Sequence, residues 1–330
     1  MTNVCTLYAF PPAPNPQKAV LALEEFGVPY SVKTVNVISC ENLSPDFLRV
    51  NASGTVPALV VTGKQHQVIT ESSEIVMYAA SLEQREQTSD PLLVTRWVSD
   101  LDSWTGPFYT LANDAMLKKM ILVVNDYKIQ LAEARQRHFP ALKDAYGRSV
   151  ARYRKAGEAL IALQRIHQTA QWLLAMPQTH IAFERSRRTQ VRLKQPTPAP
   201  HCPGISDCDV FISASGIAIQ DAQTMADNQK QLVTLLDAAE TQLSKTIFLA
   251  GDTYSAADVM LTCAVFLVEQ ASQAKTELAC RPNLSAWWKG VKQRRSFKVV
   301  FGPATSPVTM LTLVLPAVIK VMIWKLLHWY

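Results

Sequence analysis

With 330 residues the chain is long enough for two domains with proper cores, and a hydrophobic content of 48% excludes a disordered protein. Its formal charge of +6 is modest but uneven: between Arg135 and Lys194 thirteen Lys and Arg face only Asp144, Glu158 and Glu184, an excess that suits either a solvated helix face or contact with an acidic surface. Six cysteines without a repeated spacing exclude a legible disulfide framework or zinc site, and eleven glycines leave no glycine-rich phosphate loop.

Val4 to Phe10 reads as a first strand and Gln17 to Phe26 as a helix, with Val20, Leu21, Leu23 and Phe26 at helical spacing. Tyr30 to Val35 alternates as a second strand and Asp46 to Val50 is a helical turn. Ala58 to Val61 and Gln67 to Ile69 are short strands before a helix over Glu74 to Leu82. The order β-α-β-α-β-β-α predicts an α/β thioredoxin-like domain over residues 1–82. A polar stretch, 83–92, reads as a linker.

From residue 93 to 302 no strand pattern appears, so an all-α domain is expected. Within it, 176–216 carries Arg185 to Arg188, three prolines between Pro196 and Pro200 and a Ser/Gly-rich end, the composition of a flexible insertion. Phe248 to Val259 makes a turn in which Ser255 caps the next helix and Asp258 returns a hydrogen bond to the Ser255 amide. That helix is apolar on nearly every side and must be buried.

Residues 303–330 form a hydrophobic tail. Pro307 to Tyr330 spans roughly 34 Å as a helix, enough for a hydrocarbon core of about 30 Å. Lys320 within it would cost about 2.5 to 3.5 kcal/mol unless it snorkels. The expectation is a membrane anchor contacting lipid through 307–330; an interfacial helix, or one packed on the protein's own body, are the other outcomes.

Asn51 to Pro57, Glu71 to Ile75, Phe248 to Val259, and Arg281-Pro282-Asn283-Leu284 with Trp287-Trp288 together resemble the glutathione S-transferase superfamily. Within it the chain is similar to the plant-type tetrachlorohydroquinone-dehalogenase-like class. Gln17-Lys18 with Leu21 to Glu25, Leu235 to Asp237 with Glu240 to Ser244, and Ala257 to Leu261 carry that likeness. Phe47 to Gly54, the insertion and the tail also resemble the ganglioside-induced differentiation-associated proteins, whose membrane anchoring implies a cytosol-facing membrane, mitochondrial or other.

The resemblance implies glutathione as co-substrate and a small hydrophobic electrophile as its target, with detoxification as the role. Val56, beside Pro57 in an expected cis turn, would pair with the cysteinyl main chain of glutathione. Glu71 and Ser72 at a helix start would hold the γ-glutamyl end, and Asn42 the glycyl carboxylate. The family's usual catalytic Ser falls on Ala13, which has no donor, and Asn15 is the nearby side chain able to serve instead. Trp104 and Phe108, with Tyr109 and Met116, are candidates for the electrophile side. The resemblance also admits a homodimer, while nucleic-acid motifs and metal-ligand patterns are absent. An active transferase and a non-catalytic, membrane-anchored adaptor that serves organelle shape or regulation both fit these residues.

Overall fold

The computed structural model describes residues 4–63, 66–83, 89–104, 115–155, 157, 222–270, 274–304 and 310–327. The 176–216 insertion, Phe108 and Tyr109 therefore lie outside the described residues, as does the side chain of Met116.

The N-terminal half runs β1 (Val4–Ala9), α1 (Pro14–Glu25), β2 (Tyr30–Thr34), α2 (Pro45–Val50), β3 (Ala58–Thr62), β4 (Gln67–Ile69) and α3 (Ser72–Ser81). The sheet order is β2-β1-β3-β4. β1 pairs in parallel with β2, Leu7 opposite Val32, and antiparallel with β3, Leu7 opposite Leu59. This is the thioredoxin-like arrangement expected. Helix α1 begins at Pro14 rather than Gln17, because Pro at N1 and N3 lacks only N–H groups that a first turn leaves unpaired anyway.

The second half is helical: α4 (Pro91–Asp102), α5 (Ala115–His138), α6 (143–155), α7 (Ala222–Leu243), α8 (Ala256–Gln270), α9 (Ala274–Ala279), α10 (Pro282–Val291) and α11 (Arg295–Ala304). α8 packs against α1, α3 and α4, so that Leu23, Ile75 and Val76 of the first half share one core with Leu261, Val265 and Trp288 of the second. Glu25 of α1 accepts from Arg294 and from the Ser296 hydroxyl, and Lys18 pairs with Asp102 at 3.2 Å. The linker is fastened too, Asp90 N donating to the Ala250 carbonyl at 2.8 Å.

Asp258 has no exposed surface. One carboxylate oxygen accepts from Leu249 N (3.0 Å) and Trp287 Nε1 (3.2 Å), the other from the Ser255 amide (3.0 Å) and hydroxyl (2.9 Å). These bonds dock α10 on the turn before α8 and satisfy donors that burial would otherwise orphan. Burial nevertheless pushes the carboxyl up from 3.8 to about 6, outweighing the donors that pull it down.

The tail expectation is overturned. Met310–Val314 is a π-helical turn that leads into α12 (Leu315–Leu327), and α12 packs on α5 rather than standing apart from the fold. Ala317 and Val321 are buried, Trp324 lies against Tyr127 with ring centres 4.9 Å apart, and the Asn36 amide donates to the Leu313 carbonyl at 2.8 Å. Among the described residues no helix is long and apolar enough to cross a membrane. The anchor, the lipid contact through 307–330 and the membrane localisation inferred from them are corrected accordingly. Hydropathy measures apolar surface, and here part of that surface is covered by protein.

Two outcomes follow from this packing. Asp258→Ala should lower unfolding stability by about 3 kcal/mol, because three N–H donors lose their acceptor at once. Between pH about 4 and 6 the folded chain holds the Asp258 proton more tightly than the unfolded chain does, so this group's contribution to stability declines as pH rises through that window. Asp258→Asn should flatten that slope in urea denaturation series, and an unchanged slope would count against the burial argument. Truncation after Ala304 uncovers the α5 face beneath α12 and should lower the melting temperature by several degrees; an unchanged value would show that this packing contributes nothing.

Candidate functional site

The loop between α2 and β3 is built by one side chain. The Asn51 Oδ1 accepts from the Ser53 amide (3.0 Å) and hydroxyl (2.7 Å), while its Nδ2 donates to the Thr55 carbonyl at 2.9 Å. Gly54 closes the turn at φ 64, and a Cβ there would sit 3.2 Å from the Asn42 carbonyl, so the position suits glycine on both counts. The chain then passes through a cis Val56-Pro57 bond into β3, which starts opposite Tyr8.

Near this loop α3 starts without a side-chain cap. Glu71 occupies the N-cap position with extended backbone and an exposed side chain, and Ser72 is buried as the first helical residue. The first intrahelical bond comes from Ile75 N to Glu71 O at 3.0 Å. First-turn amides and the positive helix end thus remain available to an anion.

The start of α1 is the opposite case. Ala13 is buried, its amide donating to Phe10 O (2.9 Å) and its carbonyl accepting from Gln17 N (3.2 Å). Pro14 and Pro16 have no N–H, which leaves Asn15 as the one main-chain donor among the first three positions. The Asn15 side chain is half-buried. Tyr8 on β1 packs its ring at a tilt against Phe47, and its hydroxyl accepts from Lys33 Nζ at 3.3 Å.

Asn42 lies inside. It has no exposed surface, and its Nδ2 donates to the Gly54 carbonyl (2.7 Å) and to the Tyr153 hydroxyl (3.3 Å). Trp104 is buried in the core that both halves share. Val56 and Ala13 belong to a second core that α5, α6 and α12 complete.

Sequence reasoning missed the grip of α6 on the loop. Arg152 donates to the Ser53 carbonyl at 2.8 Å and Tyr146 to the Leu43 carbonyl at 3.1 Å. The signal in the sequence was the basic excess after Arg135, which suits either a solvated face or an acidic surface and does not point to main-chain carbonyls.

Comparison with known proteins agrees with this geometry. Residues 13–82 match the family model of the glutathione S-transferase N-terminal domain, and 202–294 that of the C-terminal domain. The glutathione S-transferase TCHQD of Arabidopsis thaliana is 25% identical over 300 residues, covering 90% of this chain and 89% of the relative. The chain belongs to the glutathione S-transferase superfamily. The tetrachloro-p-hydroquinone reductive dehalogenase of Sphingobium chlorophenolicum is 26% identical over 297 residues, 89% of this chain and 94% of the relative, which supports the tetrachlorohydroquinone-dehalogenase-like class. The same superfamily fold appears in glutathione transferase F2 from Populus trichocarpa, with a TM-score of 0.51 at 17% identity over 90% of this chain and 97% of that one. It appears again in transferase URE2P8 from Phanerochaete chrysosporium, solved with oxidized glutathione (TM-score 0.50, 15% identity, 92% and 96% covered).

In this superfamily member the 53–57 loop depends on Asn42. Asn42→Ala should cost about 2 kcal/mol, since the buried Gly54 carbonyl loses its donor. Equal urea midpoints for the variant and the natural chain would show that the amide does not hold the loop.

Proposed function

We propose that the N-terminal domain binds glutathione. The observation that carries this reading is the uncapped start of α3, with Glu71 exposed beside first-turn amides, next to a loop that brings Val56 toward β3. Glu71 meets the γ-glutamyl ammonium, Ser72 and the helix end meet its carboxylate, and the Val56 main chain pairs with the cysteinyl residue. Asn42 supports the same loop from beneath. Membership of the superfamily supports the assignment of the ligand.

Conjugation requires more than binding. The glutathione sulfur must be present as thiolate to attack an electrophile, with its proton released to solvent and the leaving group, such as chloride, departing from the attacked carbon. A donor at the sulfur favours that state. Here the donor set is reduced to Asn15, through its main chain and its side chain, so turnover is slow. A small hydrophobic electrophile is the substrate class that superfamily membership supports, and Trp104, buried in the shared core, is not free to meet it. A second reading, a non-catalytic member of the fold, is favoured by the same observation: Ala13 with prolines on both sides of Asn15.

Calorimetric titration with glutathione should give saturable heat. Glu71→Gln and Ser72→Ala should each weaken binding about tenfold, the loss of one charge-assisted or capping contact. No heat at millimolar glutathione would reject the proposal. With chlorodinitrobenzene as electrophile, Ala13→Ser should raise turnover roughly tenfold or more. If the natural chain is already fast and Asn15→Ala abolishes the activity, the donor is sufficient and the slow-turnover reading fails.

A further inference from the structure

The faces of α5 and α6 turned toward the N-terminal domain carry a polar cluster that glutathione binding does not use. Lys128 has no exposed surface, its Nζ has no partner at hydrogen-bond geometry, and it sits 5.0 Å from the centre of the Tyr153 ring, whose hydroxyl is the nearest group to favour its charge. Asn125, one turn earlier on the same helix face, has neither amide atom paired. Ser149, one turn before Tyr153 on α6, has an unpaired hydroxyl, and across the interface so has the Oδ1 of Asn42. All four side chains are at most 2% exposed.

Native interiors leave few polar groups unpaired, and a buried ammonium with three unpaired polar side chains on the same facing elements calls for a physical partner. The fixed charges here have one sign, and the acidic groups that act back on Lys128 are the Tyr153 phenol and the Cys40 thiol. Lys128, Arg135 and Lys320 act on the Cys40 thiol, and Lys128 with Arg152 on the Tyr153 hydroxyl, while no carboxylate acts on either. Burial raises the Tyr153 phenol but these two cations outweigh it, and the result lies below the ordinary value. Burial likewise drives the Lys128 ammonium down. Water would satisfy the amides and the hydroxyl but would not neutralise the ammonium.

We propose that Asn42, Asn125, Lys128 and Ser149 enclose one small oxyanion that carries a hydroxyl of its own, such as hydrogen phosphate or a short hydroxycarboxylate. Lys128 supplies the charge, while the Asn125 amide and the Ser149 hydroxyl donate to the anionic oxygens. The Asn42 Nδ2 is committed to Gly54 and Tyr153, so its Oδ1 accepts from the hydroxyl of the ligand. The site goes beyond the glutathione reading and does not rest on it.

The test uses the full chain, dialysed into chloride, with thermal unfolding followed at matched ionic strength in chloride, acetate, glycolate and phosphate. Phosphate or glycolate should raise the melting temperature by about 3 °C or more over chloride, acetate by less, and Lys128→Met should abolish the difference. Methionine keeps the volume without the charge, so this variant is expected to fold. Should it not, Asn125→Leu and Ser149→Ala must each reduce the anion-specific rise, and equilibrium dialysis of the natural chain must recover about one phosphate or glycolate per chain.

Equal melting temperatures in all four salts would overturn the proposal, as an uncharged Lys128 in a dry interior would produce. A rise that survives Lys128→Met would overturn it as well, by assigning the effect to the surface. Glutathione titration of the same samples separates the two readings. Heat retained in Lys128→Met keeps the sites distinct, whereas heat lost there would make this cluster part of the glutathione site and refute a separate one.

Discussion

A helix buried on nearly every side buries the turn that leads into it as well, and the fold depends on how the donors of that turn before α8 are satisfied. The Asp258 carboxylate accepts from Leu249, Ser255 and Trp287 together, so one side chain closes the turn before α8 and seats α10 upon it. With that end satisfied, α8 can lie in the middle of the molecule and present apolar side chains to α1, α3 and α4 alike. The thioredoxin-like sheet is held in place from the helical side as much as by its own hydrogen bonds.

The two helix ends near the candidate site differ in a way that bears on chemistry. The start of α3 keeps its amides open beside Glu71, whereas α1 begins with prolines that remove donors and with a buried alanine that offers none. Binding a charged main chain needs the first kind of end, and activating a thiol needs the second kind to be better equipped than it is here. Recognition and reactivity thus rest on separate pieces of backbone, and a chain can keep one while losing the other.

What the sequence revealed was local. The strand order, the Val56-Pro57 turn, the Glu71-Ser72 helix start and the Ser255-Asp258 box each depend on residues a few positions apart, where propensity and capping decide the outcome. What it concealed was tertiary. Apolar residues of 310–327 have the same hydropathy whether they meet lipid or α5, and only packing distinguishes the two. Arg152 lies in the basic stretch after Arg135, which suits a solvated face or an acidic partner equally, and nothing in the spacing of Asn125 and Lys128 shows that they turn inward. Asn42 reads as a contact for the glycyl carboxylate, but its amide is committed to Gly54 and to Tyr153, which is 111 positions away and invisible to local pattern.

The core common to both halves has an evolutionary corollary. Leu23, Ile75 and Val76 are covered by α8 as well as by their own half of the chain, so a thioredoxin-like segment exchanged between relatives would arrive with part of its apolar face uncovered unless its matching helix came too. Recombination at the linker is therefore penalised even though the linker looks like a seam. Substitutions at helix ends such as Ala13, and a helix laid on the outside like α12, leave that shared core intact.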